Sequence, residues 1–199
     1  SACCPASWPI LTGMAKARFQ RIAHRGASVE RLENTLEAFT LAVIRGADAV
    51  ELDVHLTRDG VVIVHHDPEV EGWPIRSADW RELSEVRLKG DARIPTLEAV
   101  MKAIGDDAEV YIEIKGSDVE GPALEVARAR SRRYAVHSFD QSAIERAMRV
   151  APDVARGVLL DRGIPNPVEA LRQAHARVKP RDVWPHFSLV DAAFMAAAD

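Results

Sequence analysis

From Phe19 onward, short runs of β-branched and apolar residues alternate with longer segments whose apolar positions recur every three to four residues. Apolar runs bounded by turn residues read as buried strands, and the 3.6-residue period reads as helices packed by one face. The pattern predicts strands over residues 21–23, 49–56, 61–65, 110–114, 134–138, 156–160 and 182–184. Helices are predicted over 35–45, 96–104, 121–130, 141–150, 167–176 and 191–198. Strand and helix in turn are the signature of an α/β fold, with parallel strands joined by crossover helices. Asn34 and Glu37 have the spacing of a capping box at the first helix start, and Thr96 opens the second helix in the same way.

One connection breaks this alternation, because only Thr57-Arg58-Asp59-Gly60 separates the second and third strands. Asp-Gly is a strong turn signal. A simple hairpin would set Glu51 and Asp53 roughly opposite His66 and Val64, whereas a longer return would make the third strand parallel, with His66 at its end. Either path brings the acids and His66 to one rim.

The chain has 199 residues, 47% of them hydrophobic and 28% charged, enough for one domain with a sizeable core. Its net charge of −4 is dispersed, with no Lys/Arg block to track a phosphate backbone, which argues against nucleic acid as a partner. The only cysteines, Cys3 and Cys4, are adjacent, so no disulfide staples distant segments and no cysteine metal site exists; that usage suits the cytoplasm. No apolar run approaches the roughly 18 residues of a membrane span. Residues 1–18 read as a disordered N-terminal extension, with Met14 opening more ordinary sequence, and 19–199 as the folded domain.

Charge within the strands changes the picture. Alternate strand residues share a face, so Glu51, Asp53 and His55 point one way while Val50, Leu52 and Val54 point the other. Glu113 and Lys115 share a face on a second strand. Acids on apolar strands are expensive to bury unless a cation or hydrogen bonds compensate, and carboxylates without cysteine suit a hard dication, Mg²⁺ or Ca²⁺. The plain alternative is a strand whose polar face meets water, but that face would have to recur on the separate strand carrying Glu113. His24, followed by Arg25 and Gly26, stands where a strand opens into a loop, the active end of βα folds. With His66 at another strand end, the two imidazoles form an acid–base pair, and Arg25 and Lys115 are placed to hold an anion. His65, His175 and His186 read as packing, surface or loop residues, His55 and His137 are left open, and Tyr111, Phe139 and Trp184 read as core.

The motifs "HRG", "ENT", "GADAVELDV", "TxDG", "VVxVxHD", "IPTLEAV", "IEIK" and "SFD", in this order from His24 to about Asp161, closely resemble the glycerophosphodiester phosphodiesterase family. The resemblance implies a TIM-type (β/α)₈ barrel and metal-dependent hydrolysis of glycerophosphodiesters to sn-glycerol 3-phosphate and an alcohol. It places metal carboxylates on Glu51, Asp53 and Glu113, catalytic histidines on His24 and His66, phosphate contacts on Arg25 and Lys115, and Glu33 beside the site.

Three departures stand out. Leu32 replaces the usual proline before "ENT", the segment after Asp67 is shorter than usual, and the "WTVN"-like motif expected beyond residue 199 is absent. The barrel is therefore expected to be truncated before its last strand, with open edges on its first and seventh strands through which copies of the chain would associate. Two other functions are compatible with this reading: an inactive remnant that binds a phosphorylated small molecule or a partner, and a phospholipase D-like lyase acting on lysolipids.

Overall fold

In the computed structural model, which describes residues 19–198, the chain runs β1 (Ile22–His24), α1 (Leu36–Ile44), β2 (Ala49–Leu56) and β3 (Val62–Val64). A small excursion follows, with β4 (Glu69–Val70), β5 (Trp73–Pro74) and α2 (Trp80–Leu83). The alternation then resumes with α3 (Leu97–Ile104), β6 (Glu109–Ile114), α4 (Glu120–Arg130), β7 (Tyr134–Ser138) and α5 (Gln141–Val150). It ends with β8 (Ala155–Leu160), α6 (Pro167–Val178), β9 (Asp182–Pro185) and α7 (Ala192–Ala198). The extension expected at 1–18, with its two cysteines, lies outside the described residues.

Seven strands form one sheet in the order β1-β2-β6-β7-β8-β9, all parallel, with β3 added antiparallel to β2. The parallel strands curl into a half-barrel flanked by helices, the α/β barrel architecture expected from the sequence. Among the described residues β1 pairs only with β2, and β9 only with β8, so the first and seventh strands are the two open edges.

Strand alternation divides the core. Val50, Leu52, Val54, Val110, Ile112, Ile114, Val136 and Val158 face outward and pack with Phe39, Leu97, Val100, Ile144 and Leu171 from the helices. At roughly 25 cal/mol per Å² of apolar surface removed from water, this layer dominates the driving force for folding. The inner face is narrower and mixed, with Ala49, Tyr111 and Ala135 packed against Ile22, Ala155 and Trp184. A third cluster, Ile63, Val70, Ile75, Leu83 and Ile94, tucks the excursion against β3.

Two local expectations are corrected. The hairpin pairs Val54 with Val64 and His55 with Ile63, so Asp53 lies opposite His65 rather than Val64. The cause is the turn: Thr57 Oγ1 accepts from Val61 N at 2.9 Å and donates to Asp59, drawing Thr57 and Val61 into the loop and shifting the register by one residue. The cap of α1 is Thr35, which accepts from Ala38 N, while Asn34 is left free for another task. At α3 the cap is Thr96, as read from the sequence.

Candidate functional site

The site begins with register. β2 and β6 run parallel with Glu51 beside Tyr111 and Asp53 beside Glu113. Because paired residues point to the same face, three carboxylates meet at the C-terminal ends of two neighbouring strands. One oxygen from each of Glu51, Asp53 and Glu113 lies within 4.8 Å of the others, and all three side chains are buried.

Burial and mutual repulsion show in their chemistry. Burial, with Asp53 and Glu113 adding to it, pushes the Glu51 carboxyl up to about 8. Burial also raises Glu113, against the opposing pull of Lys115. Lys115 Nζ stands 2.7 Å from Glu113 and 3.3 Å from Asp53 Oδ1. Burial would lower the lysine, but these carboxylates outweigh it and hold the ammonium charged. Asp53 Oδ1, fully buried, receives no well-directed hydrogen bond among the described residues, Lys115 approaching it only at ion-pair distance.

Around this centre the "HRG" loop folds back on itself. Arg25 has φ 56°, and its backbone N donates to the Glu51 carbonyl at 2.9 Å and to the Glu51 carboxylate at 3.2 Å. Gly26 has φ 81°, and a Cβ there would stand 2.7 Å from the Ala38 backbone, so a side chain is excluded twice over. The Arg25 side chain reaches Glu33 at 2.8 Å and Asp53 Oδ2 at 3.2 Å, so it links the two acids. Asn34, at φ 56°, donates from Nδ2 to Asp53 Oδ2 at 2.9 Å. The "ENT" segment thus aims Asp53, a task that capping logic missed.

The histidines flank the carboxylates. His24 Nε2 lies 3.7 Å from Glu51, with the ring largely exposed. Burial, then Arg25, lowers its pKa, so the imidazole is neutral at pH 7 with a free lone pair. His66 Nδ1 bonds Asp67 at 2.8 Å, and the His66 carbonyl meets His55 Nε2 at 3.1 Å. A carbonyl only accepts, so Nε2 carries the proton of His55.

A cleft of ≈ 390 Å³ joins these groups. Its polar end is formed by His24, Arg25, Glu51, His66, Glu113 and Lys115, so among the expected site residues only Asp53 and Glu33 lie outside its lining. The other end is walled by Phe139, Leu159, Trp184 and Pro185, with His137, Asp161 and His186. Phe139 is 54% exposed and is cleft wall rather than core, whereas Tyr111 is core as read from the sequence and the half-buried Trp184 both packs on that core and walls the cleft. Strand period hid this, since Phe139 follows the end of β7, where inward-facing residues meet solvent.

No helix among the described residues is long and apolar enough to cross a membrane. The family model described as the glycerophosphoryl diester phosphodiesterase family matches residues 24–198. A glycerophosphodiester phosphodiesterase of Caldanaerobacter subterraneus is 34% identical over 168 residues, 73% of this chain and 68% of that protein. The chain spans about two thirds of the length of the sequence relatives it matches. A crystal structure of a glycerophosphodiester phosphodiesterase from Thermotoga maritima superposes with a TM-score of 0.73 at 32% identity, covering 84% of this chain and 74% of that one. An Oleispira antarctica phosphodiesterase, solved in complex with the product sn-glycerol-3-phosphate, superposes with a TM-score of 0.79 at 25% identity, covering 89% and 78%.

Proposed function

The chain belongs to the glycerophosphoryl diester phosphodiesterase family, and from that premise we propose that it hydrolyses glycerophosphodiesters to sn-glycerol 3-phosphate and an alcohol. Glu51, Asp53 and Glu113 hold a divalent cation, and His24 and His66 act as base and acid. The observation that carries this reading is the buried carboxylate trio, two of whose members, Glu51 and Glu113, line one cleft with two imidazoles and two cations.

The donors fit a hard ion. All three are carboxylates, Asp53 keeps an oxygen without a hydrogen bond among the described residues, and the protein's own cations leave Glu51 so poorly compensated that burial pushes its carboxyl up to about 8. When bound, Mg²⁺ or Ca²⁺ polarises the phosphodiester and stabilises charge growing on its oxygens. Arg25 and Lys115 lie against these carboxylates and orient the phosphate by charge. His24, neutral at working pH, takes the proton of the glycerol hydroxyl next to the phosphoester as that oxygen bonds to phosphorus. His66 gives a proton to the leaving alcohol oxygen as its bond to phosphorus breaks, and water then opens the cyclic phosphate in the reverse proton sense.

The test is release of glycerol 3-phosphate from glycerophosphocholine with Mg²⁺ or Ca²⁺. Activity is expected to vanish with EDTA and to fall by roughly 10²–10⁴-fold in His24→Ala; activity that survives both overturns the proposal. A second reading, a lyase acting on lysolipids, draws on the apolar wall of Phe139, Leu159 and Trp184 beside the same polar end. Turnover of lysophosphatidylcholine or sphingomyelin in preference to glycerophosphocholine selects it.

A further inference from the structure

His137 takes no part in the chemistry above, yet it is the one histidine that is fully enclosed. It is 1% exposed and borders the cleft. Its ring is fixed on three sides. Trp184 stacks at 4.5 Å, Tyr111 meets it edge-on at 5.0 Å, and Nε2 bonds the Asp182 carboxylate two strands away. That bond crosses β8 only because position 157 is glycine, where a Cβ would overlap His137 Nε2, His137 Cδ2 and Asp182 Oδ1. The register His137–Gly157–Asp182 makes this gap a built feature of the inner face.

The hydrogen-bond roles follow. The second oxygen of Asp182 is held by Arg181 Nε at 2.7 Å, and a carboxylate only accepts, so Nε2 is the protonated nitrogen of His137. In the neutral imidazole Nδ1 then offers a lone pair, and it has no hydrogen-bond partner among the described residues. With Cδ2 and Nε2 over Gly157, Nδ1 lies on the opposite edge of the ring, toward β6, where Glu113 is the register partner of His137. A buried acceptor without a donor is uncommon, since leaving it unpaired costs free energy comparable to a lost hydrogen bond.

We propose that His137 Nδ1 is a recognition point for a substrate hydroxyl, receiving its hydrogen bond beside the carboxylate trio and selecting polyol phosphodiesters over analogues that lack that group. The required chemistry is narrow: phosphate oxygens have no proton to give, a quaternary ammonium has no N–H, and a hydroxyl fits a single lone pair between aromatic rings. This inference rests on the proposed phosphodiesterase reading for the identity of the substrate, and two moieties carry suitable hydroxyls. One is the free primary hydroxyl of the glycerol unit, and the other is a hydroxyl on the departing alcohol.

His137→Gln keeps an N–H near the Nε2 position for Asp182 but removes the acceptor at Nδ1, so the fold survives while recognition is lost. In the native protein, glycerophosphocholine is expected to react at least tenfold faster, by kcat/KM, than its analogue built on propane-1,2-diol. In His137→Gln that preference collapses to near unity, and His137→Asn, with its carbonyl near the Nδ1 position, restores part of it. If instead glycerophosphoglycerol loses its advantage over glycerophosphocholine in His137→Gln, the hydroxyl belongs to the alcohol. An equal loss on every substrate, or no loss on any, overturns the proposal. Calorimetric binding of glycerol 3-phosphate against propane-1,2-diol phosphate reads the same preference without turnover. A native protein that cleaves nothing but binds glycerol 3-phosphate through His137 therefore sinks the phosphodiesterase reading and leaves this one standing.

Discussion

Two clusters of charge occupy the inner face of the same sheet, at opposite ends of its strands, and they are balanced in opposite ways. At the N-terminal ends Asp182 and Glu109 share Arg181. Asp182 divides its oxygens between His137 and Arg181, and Glu109 accepts from Arg181 at 2.7 Å, Gln20 at 3.1 Å and the Tyr111 hydroxyl at 3.4 Å. Burial would raise Asp182, but His137 and Arg181 hold it below the usual carboxylate range. At the C-terminal ends Asp53 has an oxygen without a hydrogen bond among the described residues, and Glu51 rises to about 8. Buried charge alone therefore does not mark a functional site. A satisfied cluster ties strands together, and an unsatisfied one at the loop-bearing end of a half-barrel is poised to take a ligand.

The sharpest way to break this contrast is to neutralise the carboxylate trio. Asp53→Asn is expected to lower kcat/KM by about 10²–10³-fold, while its melting temperature stays level or rises because like-charge repulsion is relieved. A variant that loses stability and keeps activity would show the trio to be structural.

The second effect is in stability against pH. Glu51 titrates near 8 in the folded protein against an ordinary 4.5, so between these values the fold keeps a proton that the unfolded chain has released. Its contribution is fully present below about pH 4.5 and is lost as pH rises toward 8, by about 4–5 kcal/mol. His24, His55 and His65, whose pKa values are lowered chiefly by burial, act oppositely near their ordinary 6.5. The informative quantity is therefore the difference between the native chain and Glu51→Gln in denaturant midpoints from pH 5 to 8, which isolates the carboxyl. Added Mg²⁺ or Ca²⁺ is expected to flatten the native slope, because binding to the folded state favours the ionised trio.

How much of this was legible in the sequence depends on whether a rule of period or a rule of space was at work. The alternation in "AVELDVHL" carries Glu51 and Asp53 to one face without reference to any other segment, and the same period on "VYIEI" supplies Glu113. The hairpin erred by one residue because Thr57 works through its hydroxyl, a side-chain bond that no hydrophobic pattern contains. Asn34 has the composition of a cap and was read as one, whereas its amide is spent on Asp53, 19 residues away. The least legible feature is His137 with Asp182: its signal is a missing side chain at Gly157, and a glycine in a strand has several other meanings.

A smaller effect is expected at the satisfied end. Arg181→Met leaves Asp182 and Glu109 without their shared cation. The arginine is 42% exposed, so solvent screens part of the loss, and a destabilisation of about 1–2 kcal/mol is expected. Its readout is a lower melting temperature with an unchanged pH profile of kcat/KM. A shift of that profile toward the behaviour of trio variants would mean the two clusters are coupled through β6 and are not separate devices.

The smallest effect separates position from charge within the site itself. His55 shares a face with Glu51 and Asp53; its Nε2–H holds the His66 carbonyl at 3.1 Å and so fixes the backbone that carries the His66 ring. Removing it in His55→Leu leaves every charged group in place and frees only the backbone that carries His66. Loss of one such hydrogen bond is expected to lower kcat by about tenfold with little change in KM, since substrate is still gathered by the cations and carboxylates. His55→Gln, whose amide N–H falls near the same point, is expected to recover most of that loss. Equal damage from both substitutions would place His55 in packing, and a rise in KM without a fall in kcat would place it among the groups that bind substrate.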